Sequence, residues 1–467
     1  MKFIDKDILK LAIPSILANI TVPIVGMVDM SVAGHLEGAA QTMIGGITIG
    51  SVLFDLLYWN FGFLRAGTGG LTAQAVGRND NKECANVFAR AFGIALLCAS
   101  VLLLVQGVFL NLAFKFFDCT PEVRELASKY FLIRIWAAPA TLSLMAFKGW
   151  FIGMQDTLSS MITDLVVNGT NIIMSIVLAF GLHWGQFYLH GIGFSGIALG
   201  TLIAQYMGLL TAFILLQVKY RKRIFHSFKF RDFVSSFRGG EMGRFFMVNT
   251  SLFVRSLCII LIYIGFTKIS TGYGTMLMDV GAILMKLLMI FSFFTDGFAY
   301  AGEALSGKYI GARDRHMFQL TVRHTFAWSM AVAGIFVVLY YLAGVPMLQL
   351  ITSDEMVISA TRPYLWWLLL MPFFGCAAFT WDGIYVGATS TKSIMWAMVW
   401  ATVAFFLTYY VGLGILNLVG SESMMVSQMS SFEVLLHLLM GAYFMHLFIR
   451  TIYLSINYNK NILRNNF

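Results

Sequence analysis

Within VPIVGMVDMSVAGHL, Val22 to Leu36, one carboxylate, Asp29, interrupts an apolar run. An acid at bilayer-centre depth costs roughly 2.5–3.5 kcal/mol on insertion scales, and Asp is too short to snorkel to the headgroups as Lys does. Such a residue points to proton or cation handling. The alternative is an acid at the outer headgroups: from a helix start near Ile8, Asp29 lies about 32 Å along the axis, with His35 about 9 Å further on. In NGTNIIMS, Asn168 and Asn171 are three apart and share a helical face, with Ser175 one turn beyond. Oxygens on one face can ligate a hard cation or bond a neighbouring helix. Pro14 and Pro23 cannot donate to the carbonyls of Lys10 and Asn19, so those oxygens want another donor or a cation, unless the prolines serve only as kinks.

Other charges fall in or near apolar stretches: Asp55, Arg65, Arg134, Lys148, Asp164, Arg255, Asp279, Lys286, Asp296, Glu303 and Asp382. So many cannot face lipid, and most are expected to pair with one another. Lys148 and Asp382 are expected near cytoplasmic helix ends, and Asp279 and Glu303 are candidates to line a cavity in the second half of the chain. Neither HExxH, GxSxG nor a GKS/T phosphate loop occurs, the eight histidines are scattered, and the five cysteines (Cys84, Cys98, Cys119, Cys258, Cys376) include no CxxC. An intramembrane enzyme, a disulfide framework, a resident metal and a cofactor are therefore not expected.

The elements that must position these groups are membrane helices. The chain has 467 residues, 58% of them hydrophobic and 12% charged, with a mean hydropathy of +0.77. Soluble domains carry about 25% charged residues. Windows long enough to span a bilayer begin near Ile8, Met43, Ala85, Leu126, Ser159, Ile192, Phe245, Gly274, Phe318, Pro363, Ser393 and Phe432. The first lacks a small-residue cleavage pattern and reads as a spanning helix rather than a signal peptide. Alternate loops hold Arg78 and Lys82, the run KYRKRIFHSFKFRDF, then Lys308, Arg313 and Arg315, and finally Lys460 and Arg464. The other loops (HLEGAAQ, FDCTPEVRE, HWGQFYLHG, STGYG, TSDE, SESMM) are neutral or acidic on balance. The positive-inside rule then puts both termini and the long basic loop in the cytoplasm. The formal charge of +9 thus reflects loop placement and attraction to anionic lipid, not nucleic-acid binding.

The two halves repeat. LTAQAVGRND (71–80) aligns with LSGKYIGARD (305–314), and KGWFIGMQDT (148–157) with DGIYVGATST (382–391), both at an offset of 234. An all-α integral membrane protein follows, with about twelve helices in two six-helix lobes, residues 1–218 and 241–467, joined by a basic cytoplasmic linker, 219–240. Six is even, so the lobes share an orientation and should be related by an axis along the membrane normal.

IPSILANITVPIVGMVDMSVAGHL, FGFLRAGTGGLTAQAVG, KGWFIGMQDT, NGTNIIMS, FTDGFAYAGEALSGKYIGA and WDGIYVGAT, in that order, resemble the multidrug and toxic compound extrusion (MATE) transporters, in particular their DinF-like branch. The resemblance implies a V-shaped pair of lobes, alternating access, and export of organic, often cationic, small molecules against protons or sodium. It implies a monomer in the plasma (inner) membrane of a bacterium, with lipids and organic solutes as its partners. It puts Asp29 in the place of the coupling acid, Pro14 where the first helix bends, and Asn171 and Thr201 in a cation site. The family's fifth-helix Asp is replaced by Ser175. With one carboxylate in place of two, protons are the better expectation, and sodium at Asp29, Asn171 and Thr201 the lesser. A lipid-linked-sugar flippase of the same superfamily is the alternative; it would use cavity cations such as Arg65, Arg134, Lys148, Arg255 and Lys286.

Overall fold

The computed structural model describes residues 2–36, 40–115, 119–184, 187–226, 233, 236–237, 240–419 and 431–467. Part of the basic linker, the SESMM loop, Gly185 and the centre of HLEGAAQ lie outside the described residues. Twelve helices are long and apolar enough to cross a membrane: α1 (Phe3–Gly34), α2 (Ala40–Gly77), α3 (Asn81–Ala113), α4 (Pro121–Gly153), α5 (Thr157–Phe180), α6 (Phe194–Tyr220), α7 (Gly240–Gly272), α8 (Thr275–Gly311), α9 (Arg315–Ile351), α10 (Trp367–Gly387), α11 (Thr391–Leu416) and α12 (Phe432–Asn466). The chain is a multi-pass membrane protein. Most helices begin a few residues before the apolar windows. Charged first turns such as that around Asp5 suit the positive end of the helix dipole and extend the helix beyond its lipid-matched part. Between α5 and α6 a short hairpin pairs Gly181–Trp184 with Phe187–His190, the one departure from an all-helical chain among the described residues.

Lipid explains which faces lie outward. On α3, Leu97, Val101, Leu104 and Val108 recur at helical spacing and are exposed, Leu104 by 84%. In water so long an apolar stripe would be a liability. Against acyl chains it is the ordinary exterior.

The sequence repeat recurs in the backbone. Among the described residues four non-glycine residues adopt left-handed conformations, Asn79 (φ 57°), Gln155 (φ 60°), Arg313 (φ 55°) and Thr389 (φ 53°), and each repeat-related pair is 234 residues apart. The residue after each donates its backbone N–H five positions back: Asp80 to Ala75, Asp156 to Phe151, Asp314 to Tyr309 and Ser390 to Tyr385, at 2.8–3.0 Å. This Schellman closure ties off the outgoing helix. Three of these residues then cap the incoming one: Asp80 accepts from Glu83 N at 2.9 Å, Asp156 from Ser159 N at 3.1 Å and Asp314 from Met317 N at 2.9 Å. Glycines repeat too. A Cβ at Gly149 would strike the Arg65 carbonyl and one at Gly153 the Gly69 carbonyl, while Gly383 and Gly387 stand in the same relation to Ala299 and Glu303. Small residues four apart let the α4 backbone approach α2, and that of α10 approach α8.

Contacts divide the chain into two units, Ile13–Asn249, and Met1–Ala12 with Thr250–Phe467. The first is packed around rings such as Phe54 stacked on Phe131, with centroids 4.9 Å apart, and around Trp150, whose Nε1 donates to the Cys84 carbonyl. In the second, Tyr340 donates to the Leu287 carbonyl at 2.6 Å beside the edge-on pair Phe291 and Phe336. Also in this unit, Asp5 in the first turn of α1 accepts from His324 Nδ1 and Trp328 Nε1 of α9.

Candidate functional site

Within Ile13–Asn249, α1, α5 and α6 bring their polar residues together. The approach of α5 to α6 depends on Gly196 and Gly200: a Cβ on Gly200 would lie 2.6 Å from Ser175 N, and one on Gly196 2.5 Å from the Leu178 carbonyl carbon. That closeness puts the Asn171–Ser175 face within reach of Thr201 on one side and α1 on the other. Asn171 Nδ2 donates to Thr201 Oγ1 at 2.8 Å, and Thr201 donates to the Ile197 carbonyl at 3.2 Å. Ser175 Oγ donates to Asp29 Oδ1 at 3.0 Å. Asn168 Nδ2 donates to Thr21 Oγ1 at 2.5 Å, and Thr21 donates to the Ala18 carbonyl.

Asp29, Asn171, Ser175 and Thr201 are all buried; Asp29 keeps 6% of its surface and Ser175 none. The acid therefore lies inside the unit, and it makes no ion pair among the described residues. Asn171 Oδ1 is buried and accepts no hydrogen bond among the described residues. An amide oxygen without a donor is costly in a dry interior, and it is also a ligand of the kind hard cations use. Pro14 and Pro23 both lie inside the unbroken α1. Pro14 falls just after Ala12, the last residue of α1 that belongs to the second unit.

Arg134 adds a cation near this group. Its Nη1 donates to the Tyr130 hydroxyl at 2.8 Å, and its guanidinium sits 4.7 Å from the Phe54 ring centre. Thr21 had no signal of its own in the sequence, since threonine in an apolar helix commonly back-bonds to its own turn. Arg134 did stand out as an ionisable residue, but its aromatic seat required the fold.

The expectation that interior charges pair holds for several. Lys148 pairs with Asp164 at 2.8 Å. Asp382 is buried between two arginines, Arg255, whose Nη2 lies 2.5 Å from Oδ2, and Arg450, which bonds both carboxylate oxygens. Lys148 and Asp382, equivalent in the repeat, thus both serve in ion pairs with opposite sign. Arg450 escaped notice because a lone Arg in HLFIRTIYL resembles a helix-end anchor. Asp279 and Glu303 are not brought together: both are on α8, 24 positions or about 36 Å apart, the first exposed and the second buried.

A family model described as MatE matches residues 14–177 and 252–411. Over 404 residues the chain is 32% identical to DNA damage-inducible protein F of Escherichia coli, covering 86% of this chain and 85% of that one. It is 23% identical over 398 residues to a probable multidrug resistance protein NorM of Photorhabdus laumondii, covering 84% of each. Among solved structures, a MATE protein in a bent conformation aligns with a TM-score of 0.81 at 15% identity, over 99% of this chain and 97% of that one. A MOP superfamily transporter of Pyrococcus furiosus aligns with a TM-score of 0.80 at 15% identity, over 99% and 96%. At such identities the structural likeness speaks to the fold.

Proposed function

This chain belongs to the MatE family, and from that premise we propose that it is a secondary antiporter exporting amphipathic, cationic small molecules by alternating access, driven by an inward flow of protons. The observation that carries the reading is the buried Asp29, an acid with one hydrogen-bond donor, Ser175, and no ion-pair partner among the described residues. A carboxyl group so placed can exchange a proton for an organic cation. Protonation on the outer side would weaken its hold on a cation, and loss of the proton on the inner side would restore it. In this reading the protein acts as a monomer in the inner membrane of a bacterium, with both termini in the cytoplasm.

Sodium is the second reading, favoured by the unbonded Asn171 Oδ1. That oxygen, Thr201 Oγ1 and the Asp29 carboxylate are hard ligands of the kind such an ion takes. Vesicles carrying the purified protein, loaded with a cationic dye and given a proton gradient or a sodium gradient alone, separate the two. Efflux under the proton gradient only is the expected result. Asp29→Asn preserves shape and can still accept from Ser175, so it should abolish efflux with little change in thermal stability. Were Asp29 a structural ion-pair partner of Arg134, the same substitution would strand a buried charge and cost about 3–5 kcal/mol. Wild-type efflux from a well-folded Asp29→Asn protein would sink the proposal.

A further inference from the structure

The Arg255–Asp382–Arg450 cluster does not balance. Its partners are complete among the described residues: Asp382 bonds only the two arginines, Arg450 otherwise only faces the Phe379 ring at 5.5 Å, and Arg255 has no second acid. Two guanidinium groups share one carboxylate, so the cluster keeps one surplus positive charge. A second buried cation adds desolvation cost without a second acid to offset it.

One member of the cluster is more exposed than the others. Arg450 and Asp382 keep 3% and 9% of their side-chain surface, whereas Arg255 keeps 23%. The Arg255 Nε is buried and donates to nothing. A guanidinium that keeps part of its surface and is backed by a net positive charge matches the oxo-anions that arginine recognises. His446, one turn before Arg450, is buried with Nδ1 3.3 Å from the Tyr443 carbonyl and supplies no negative charge.

We propose that Arg255, held by Asp382 and Arg450, is a binding site for the carboxylate or sulfonate of an organic solute, so that the protein accepts anionic or zwitterionic amphiphiles besides cationic ones. The inference rests on the export reading only in taking the ligand to be a transported solute. Its test is equilibrium binding, which needs no gradient and so fails or succeeds independently of coupling.

Fluorescein, an anion, and rhodamine 6G, a cation on the same xanthene frame, are titrated into the purified full-length protein and followed by anisotropy. Arg255→Gln should weaken fluorescein binding about tenfold or more, as expected for losing a charge-assisted contact, and leave rhodamine 6G unchanged. Arg255→Lys keeps charge but loses the fork and should fall between. Asp382→Asn should strengthen fluorescein binding, because it removes the competing acid; the two Arg255 variants decide the matter should it not fold. Unchanged fluorescein affinity in Arg255→Gln, or equal losses for both dyes together with a lowered melting temperature, would overturn the site and leave a structural ion cluster. The titration is repeated in nanodiscs of zwitterionic and of anionic lipid. Equal affinities support a solute site, whereas loss of fluorescein binding only in anionic discs assigns the anion to a lipid headgroup and overturns it.

Discussion

Ser175 stands where its hydroxyl already reaches Asp29 Oδ1, 3.0 Å away, and it is fully buried. Ser175→Asp would therefore place a second carboxylate beside the first, with Asn171 one turn away. Two acids at that spacing cannot both stay ionised unless a cation lies between them. The variant should gain sodium binding, read as a melting temperature raised by sodium chloride relative to choline chloride and growing with concentration, since a ligand specific to the folded state stabilises by mass action. Equal melting temperatures in the two salts would show that α1 and α5 do not form one cation site. Much of this site was legible: Asp29 announced itself by cost, and Asn168, Asn171 and Ser175 by spacing. What spacing could not supply was the partner of each: Thr21 lies 147 positions from Asn168, and Thr201 lies 30 from Asn171 on the next helix.

Asp156 shows what one turn contributes to an element pair. Its carboxylate caps α5 through Ser159 N and Oγ, and accepts from Lys219 Nζ at 2.9 Å and from the Tyr220 hydroxyl at 2.9 Å at the end of α6. Burial pushes this acid up, but the hydrogen bonds from Ser159 and Lys219 outweigh it and hold the group below the usual carboxylate range. A depressed value in the folded state gives stability that is present above the ordinary Asp range, near pH 4, and lost as pH falls through the folded value. Asp156→Ala should lower stability by about 0.5–2 kcal/mol, the usual loss for a cap, and flatten the acid limb of the melting-temperature profile. A profile that still falls like wild type would assign the acid limb to other groups. The 234-residue offset was legible because turn chemistry, GRND and GARD, is local. Helix starts were less so, since charged first turns lie outside any hydropathy window.

At the scale of the whole molecule the loop charges make a prediction about sidedness. In a variant without the five native cysteines, cysteine placed at Lys222 or Asn465 should react only with reagents that enter the cytoplasm, and cysteine at Ser353 from outside. Labelling at Lys222 by an impermeant reagent applied outside would overturn the proposed orientation. Twelve spans could be read from composition because lipid rewards unbroken apolar length. The partners of interior charges could not: Lys148 finds Asp164 only 16 positions away, whereas Asp382 finds Arg255 and Arg450 across 127 and 68.

The four left-handed turns also bear on how such a chain is made. Each closes within six residues, so α2 with α3, α4 with α5, α8 with α9, and α10 with α11 can zip into hairpins as they emerge during synthesis, at small loop-closure entropy. α6 is likewise tied back to α5, by the Gly181–Trp184 and Phe187–His190 hairpin and by Ile192 N donating to the Leu178 carbonyl at 2.8 Å, and only Tyr273 and Gly274 separate α7 from α8. Asn171, Ser175 and Thr201 therefore sit on two helices joined by a short connection, whereas Asp29 reaches them from α1. Asp29 takes part in none of these turns, and its bond to Ser175 closes a separation of 146 positions.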